Sequence, residues 1–109
     1  MEALDSARWQ DEDQLHLTLR FVGEVDRHTG EDLADALSRI RVQPFPIAIA
    51  GVGHFERKGR PTAIWARVEP SAELIELQKS VEQACRAAGI GAETRRFTPH
   101  ITIARLGGS

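Results

Sequence analysis

Residues 14–21 read QLHLTLRF, and residues 100–103 read HITI. In the first stretch Gln14, His16, Thr18 and Arg20 alternate with Leu15, Leu17, Leu19 and Phe21. A period of two predicts a β-strand with one polar and one apolar face. His100, Ile101, Thr102 and Ile103 repeat that phase. Each histidine therefore shares the polar face of its strand with a threonine two positions on, so an imidazole and a hydroxyl are offered side by side, twice. A polar strand face ordinarily meets solvent. The duplication favours a shared site instead, because His28 and His54 are followed at the same spacing by Gly30 and Glu56.

Outward from these segments the chain reads β-α-β-β-α-β. Thr29, Gly30, Glu31 and Asp32 read as a capping box opening a helix with the apolar stripe Leu33, Leu37 and Ile40. Residues 43–46 break it. Phe45, Ile47 and Ile49 begin a strand that runs into Gly51 and Gly53, where a bulge or a close backbone approach is expected. Residues 57–61 suit a hairpin loop, and residues 62–68 the next strand. Pro70 and Ser71 start a second helix, which Gly89 and Gly91 end. Pro99 sits at the start of a strand, where its missing N–H does little harm. Gly107, Gly108 and Ser109 read as a loose tail.

The 109 residues, 41% hydrophobic and 28% charged, suit one ordinary globular domain with a modest core. Neither a membrane-crossing apolar run nor a signal peptide is visible, so the cytoplasm is the expected location. A net charge of −2 gives no global nucleic-acid footprint, and any nucleic-acid contact must be local. Cys85 falls on the apolar face of the second helix with Leu74, Leu77 and Val81, and is expected to be buried and inert. Gly51-Val52-Gly53 lacks the rest of a dinucleotide or P-loop fingerprint. His16, His28, His54, His100 and Cys85 show no metal-ligand spacing, so neither a metal nor a cofactor is expected. Asp11, Glu12 and Asp13 read as a solvated loop.

LHLTLRFVGEV (residues 15–25) and RRFTPHITIAR (residues 95–105) resemble the two signature segments of the 2H phosphoesterase superfamily. The likeness is to its RNA 2′,3′-cyclic phosphodiesterase branch, also called 2′-5′ RNA ligases, and the intervening elements follow the family order. The resemblance implies an α+β fold in which two pseudo-symmetric β-α-β halves with antiparallel sheets flank a central groove. It also implies hydrolysis of a 2′,3′-cyclic phosphate, at an RNA end or on a nucleotide, to a 2′-phosphate, with reverse 2′-5′ ligation as a second direction. Family members carry a further strand and helix before the first motif and at least one strand after the second. Residues 1–109 are thus expected to be a single domain of this type lacking terminal strands, and its exposed sheet edges are expected to favour self-association.

Facing imidazoles suit this chemistry, since one takes a proton from water on one side of phosphorus and the other protonates the departing oxygen. Thr18 and Thr102 would hold the phosphoryl oxygens beside His16 and His100. The resemblance makes Arg105 the first candidate for a substrate-binding cation, although strict alternation points it away from His100, so a twist or bulge is required. Arg20, on the face of His16, is the second. Phe21 and Phe97 either stack on a base or pack in the core. Two alternatives of other classes are a module that binds RNA or nucleotide phosphate without turnover, and a zinc protein.

Overall fold

The computed structural model describes residues 7–106; the first six residues and the expected tail at Gly107, Gly108 and Ser109 lie outside the described residues. The chain divides into two units. One holds the described residues up to Thr18, Ala48–Glu69 and those from Pro99 onward. The other holds Leu19–Ile47 and Pro70–Thr98.

The first unit is built on a hairpin. Strands β2 (Ile49–Arg57) and β3 (Arg60–Val68) are joined through Lys58 and Gly59, with φ of 54° and 77°. Positive φ at both central residues is the type I′ arrangement, whose twist matches the right-handed twist of the strands it joins. Strand β4 (His100–Arg105) pairs antiparallel with β3, and β1 (Arg8–Trp9) pairs with the far side of β4, giving the order β1-β4-β3-β2. The class is α+β with an antiparallel sheet, and the strands of both expected halves share that one sheet.

Three irregularities set which side chains share a face. In β2 an extra residue lies between Ile49 and Val52, where Gly51 takes a φ of 104° open to glycine alone at low cost. Near the turn Phe55 pairs with Ala63 but Glu56 with Pro61, leaving Thr62 extra. In β4 Thr102 pairs with Trp65 but Ala104 with Ile64, leaving Ile103 extra. One face then carries Phe55, Ala63, Trp65, Arg67, His100, Thr102 and Arg105. The other carries Ile64, Ala66, Val68 and Ala104, the last three buried.

The strand expected over residues 14–21 does not form. Glu12–Gln14 make a 3-10 turn in which the Asp11 N–H donates to Gln14 Oε1 at 2.9 Å, and only Leu17 bridges the sheet, to Ile101. The acidic residues expected in a loop thus begin this turn. Competition explains the missing ladder: Arg8 and Trp9 pair with Arg105 and Ala104, and the Gln10 N–H donates to the Ile103 carbonyl at 3.0 Å. Only the first half of β4 remains for the H-x-T segment.

The second unit pairs α1 (Arg27–Ser38) with α2 (Ala72–Ala87). Helix α1 starts before the expected capping box, because Asp26 is the cap and its Oδ1 accepts from the Thr29 N–H at 2.8 Å. A carboxylate caps well and also favours the positive end of the helix; the Thr29 N–H holds its pKa below the ordinary value. Ser71 caps α2 by accepting from the Leu74 N–H at 3.2 Å. Gly89, at φ 89°, closes that helix as a Schellman motif: Ile90 N–H reaches the Cys85 carbonyl and Gly89 N–H the Arg86 carbonyl. Leu33, Ala84 and Cys85 form the core, with Val22, Ala36, Ile40, Val81, Ala88 and Ile90 packed on it. Ala36 serves where the stripe called for Leu37, which is exposed.

Candidate active site

The bridge between Leu17 and Ile101 is antiparallel. Residues one step either side of such a bridge face each other across the pair, so His16 lies opposite Thr102 and Thr18 opposite His100. Leu17 and Ile101 take one face, and the four polar residues the other. Cross-strand neighbours stand about 5 Å apart, the span of one phosphoryl group. His16, Thr18, His100 and Thr102 are thus brought together at the edge of one sheet.

The His16 Nδ1–H donates to the Gln14 carbonyl at 2.8 Å. A carbonyl only accepts, so Nδ1 carries the proton in the neutral ring and Nε2 is left with its lone pair. The sharp return of the chain after the 3-10 turn places that carbonyl within reach. His16 and Thr18 are exposed, and His100 and Thr102 half-buried. His100 packs against two rings, Phe55 at 5.3 Å between centroids and Trp65 at 5.8 Å.

Strict alternation would turn Arg105 away from His100. The extra residue Ile103 restores it to the histidine face, opposite Ala63. Arg105 is exposed and has no ion-pair partner among the described residues. The same pairing puts Arg8 opposite Arg105 and Arg67 opposite His100. Sequence reasoning missed Arg8, Arg67, Phe55 and Trp65, because strand partners rather than sequence neighbours set their placement. A signal for Trp65 was present in Gly53, whose added Cβ would lie 2.5 Å from the indole.

The remaining candidates belong to the helical unit. Arg20 is neither a solvated arginine nor a free cation: its side chain is 5% exposed, Nε donates to Glu82 at 2.9 Å, and the guanidinium also donates to the Phe21 and Gly91 carbonyls. Glu82 accepts further from the Glu93 N–H and from Arg86, and these partners, the Glu93 N–H foremost, hold its pKa below the ordinary value. Phe21 is 71% exposed and so is not core, whereas Phe97 is half-buried. Cys85 is buried, which raises its thiol pKa. Among the described residues no three His, Cys, Asp or Glu side chains cluster as metal ligands, and no helix is long and apolar enough to cross a membrane.

A model of the 2′-5′ RNA ligase superfamily matches residues 4–108. An RNA 2′,3′-cyclic phosphodiesterase of Geobacillus stearothermophilus is 37% identical over 99 residues, which make up 89% of this chain and 32% of that protein. One from Thermotoga maritima is 38% identical over 103 residues, 92% of this chain and 54% of that protein. A crystal structure of a Thermus thermophilus protein matches with a TM-score of 0.73 at 27% identity, covering 95% of this chain and 61% of that one. Escherichia coli LigT complexed with 3′-AMP matches with a TM-score of 0.69 at 31% identity, covering 92% and 56%. The chain therefore spans about a third of the first relative and about half of the second.

Proposed function

Because the chain belongs to the 2′-5′ RNA ligase superfamily, we propose that it opens 2′,3′-cyclic phosphates at RNA ends or on nucleotides, without a metal ion, to leave a 2′-phosphate. The observation that carries this reading is the Leu17–Ile101 bridge, whose register sets two imidazole–hydroxyl pairs opposite each other. One imidazole takes a proton as water oxygen attacks phosphorus. The bond from phosphorus to the 3′ oxygen breaks, and the second imidazole gives that oxygen a proton. Thr18 and Thr102 donate to the phosphoryl oxygens, and Arg105 offsets the charge that grows on them.

Ligation uses the same groups with the 5′ hydroxyl of a second RNA in place of water: its oxygen loses a proton to one imidazole and attacks phosphorus, the bond to the 3′ oxygen breaks and that oxygen takes a proton from the other, leaving a 2′-5′ phosphodiester. In this reading the chain works as one domain in the cytoplasm. The exposed ring of Phe21 and the half-buried ring of Phe97 are the candidates for stacking on a base.

The test is turnover of a 2′,3′-cyclic nucleotide by the purified chain in excess chelator, followed by chromatography. The expected product is the 2′-monophosphate. Nucleotide binding without turnover would make the chain a phosphate-recognition module, and activity restored only by zinc would overturn the two-histidine mechanism.

A further inference from the structure

His100 does not stand on its strand unsupported. Its ring lies 5.3 Å from Phe55 at an interplanar angle of 82°, and 5.8 Å from Trp65 at 59°, and the two aromatic rings are themselves 5.6 Å apart. All three side chains rise from one face, from three neighbouring strands, by the pairings Phe55 with Ala63, Trp65 with Thr102 and Arg67 with His100. The indole reaches this position by lying across Gly53, where a Cβ would sit 2.5 Å from one ring carbon and 2.6 Å from another. Its buried Nε1–H has no hydrogen-bond partner among the described residues. A lone buried donor costs stability, so the site is shaped for the ring and not for the N–H.

We propose that Trp65 and Phe55 are positioning residues for the reaction proposed above: they hold the His100 imidazole in one orientation, and Gly53 is the gap that admits the indole. A proton-transfer group must meet its partner within a narrow distance and angle, and a misplacement of about 1 Å can cost as much as a hundredfold in rate. An imidazole turns about two side-chain bonds, and two rings at its flank remove much of that freedom.

The experiment compares Phe55→Leu, Trp65→Leu, Trp65→Phe and Gly53→Ala in the intact chain, reading kcat, KM and the NMR signals of the His100 ring. The expected result is a kcat about ten- to a hundredfold lower in the two leucine variants and in Gly53→Ala, with KM within about threefold. Trp65→Phe, which keeps an aromatic ring and removes the orphan N–H, recovers most of the rate. Loss of the aromatic ring currents moves the His100 signals while those of His16 stay in place. Should Trp65→Leu fail to fold, Phe55→Leu decides, because Phe55 is 45% exposed and its removal disturbs little core. Unmoved His100 signals and a kcat within twofold of the parent in Phe55→Leu overturn the proposal. So does a Trp65→Phe variant as slow as Trp65→Leu. If the parent chain shows no turnover, the phosphodiesterase reading fails, and the His100 signals still decide whether the rings fix the imidazole.

Discussion

Leu17 bridges Ile101 in antiparallel register, and this one contact puts His16 across from Thr102. Two motif-bearing segments need not both be full strands for their side chains to meet. A single bridge fixes phase as firmly as a long ladder, since the side-chain period is two.

Removal of either imidazole should therefore cripple turnover while sparing the fold. His16→Ala and His100→Ala are each expected to lower kcat by roughly 10²–10⁴, and near-parental rates in either would sink the mechanism. Thr18→Ala and Thr102→Ala each remove one neutral hydrogen bond, worth about 1 kcal/mol or somewhat under tenfold in rate. Steady-state kinetics and a thermal melt of each variant give the comparison.

Arg105→Ala is expected to lower kcat/KM by about a hundredfold, the scale for losing one preorganised charge at a developing anion. Arg20→Ala should act on stability instead, by about 3 kcal/mol, because it leaves Glu82 and the Gly91 carbonyl without their buried partner. Urea denaturation and turnover, measured on both variants, separate the two roles.

The Glu82 network also predicts an acid limit. Its carboxyl is held below the ordinary value chiefly by the Glu93 N–H, then by Arg20 and Arg86. The stabilisation is complete above the unfolded Glu value of about 4.3, and is lost as pH falls through the lower folded value. The melting temperature of Glu82→Gln should thus change less steeply than the parent's in that acid window. Equal slopes would show that Glu82 is not the group responsible.

Lys58 occupies a left-handed position without being glycine or asparagine, at φ 54°. Lys58→Asn gives the turn an Asn-Gly pair, and is expected to raise stability by about 1 kcal/mol, the lower end of the cost of such strain. A lower melting temperature would show that the lysine makes a compensating contact.

Strand β2 is an edge of the sheet, with Val52 74% exposed and Ile49 55%. Such an edge is a template for another strand. Sedimentation should detect concentration-dependent association, weakened in Val52→Lys; a monomer at all concentrations would remove the edge as an interface.

Both helices, the hairpin, the strand at His100 and the pairing of the H-x-T segments were legible because period and punctuation are local signals, whereas the opening strand of the expected order is Arg8–Trp9 and not residues 14–21. Asp26 was legible too, three residues ahead of Thr29, but the Thr-Gly-Glu-Asp string mimicked the cap. Competition between segments was not legible. That Arg8 and Trp9 would claim half of β4 before residues 16–18 arrived is decided by pairing between distant stretches, which no local pattern encodes. Arg20 misled for a related reason: its alternation placed it beside His16, but Glu82, 62 residues away, supplies its partner.

Ile103 converts an odd interval into an even one. His100 and Arg105 are five positions apart, a count that should set them back to back, and one surplus residue makes them companions. Parity in this strand is thus carried by length as well as by composition. Loss of the Ile103 codon would leave the arginine four positions from the histidine and on the same side with no bulge, whereas regular pairing through all six residues would turn the arginine toward the buried side and Leu106 toward the histidines. Inside and outside are exchanged here by whether one residue is paired or skipped.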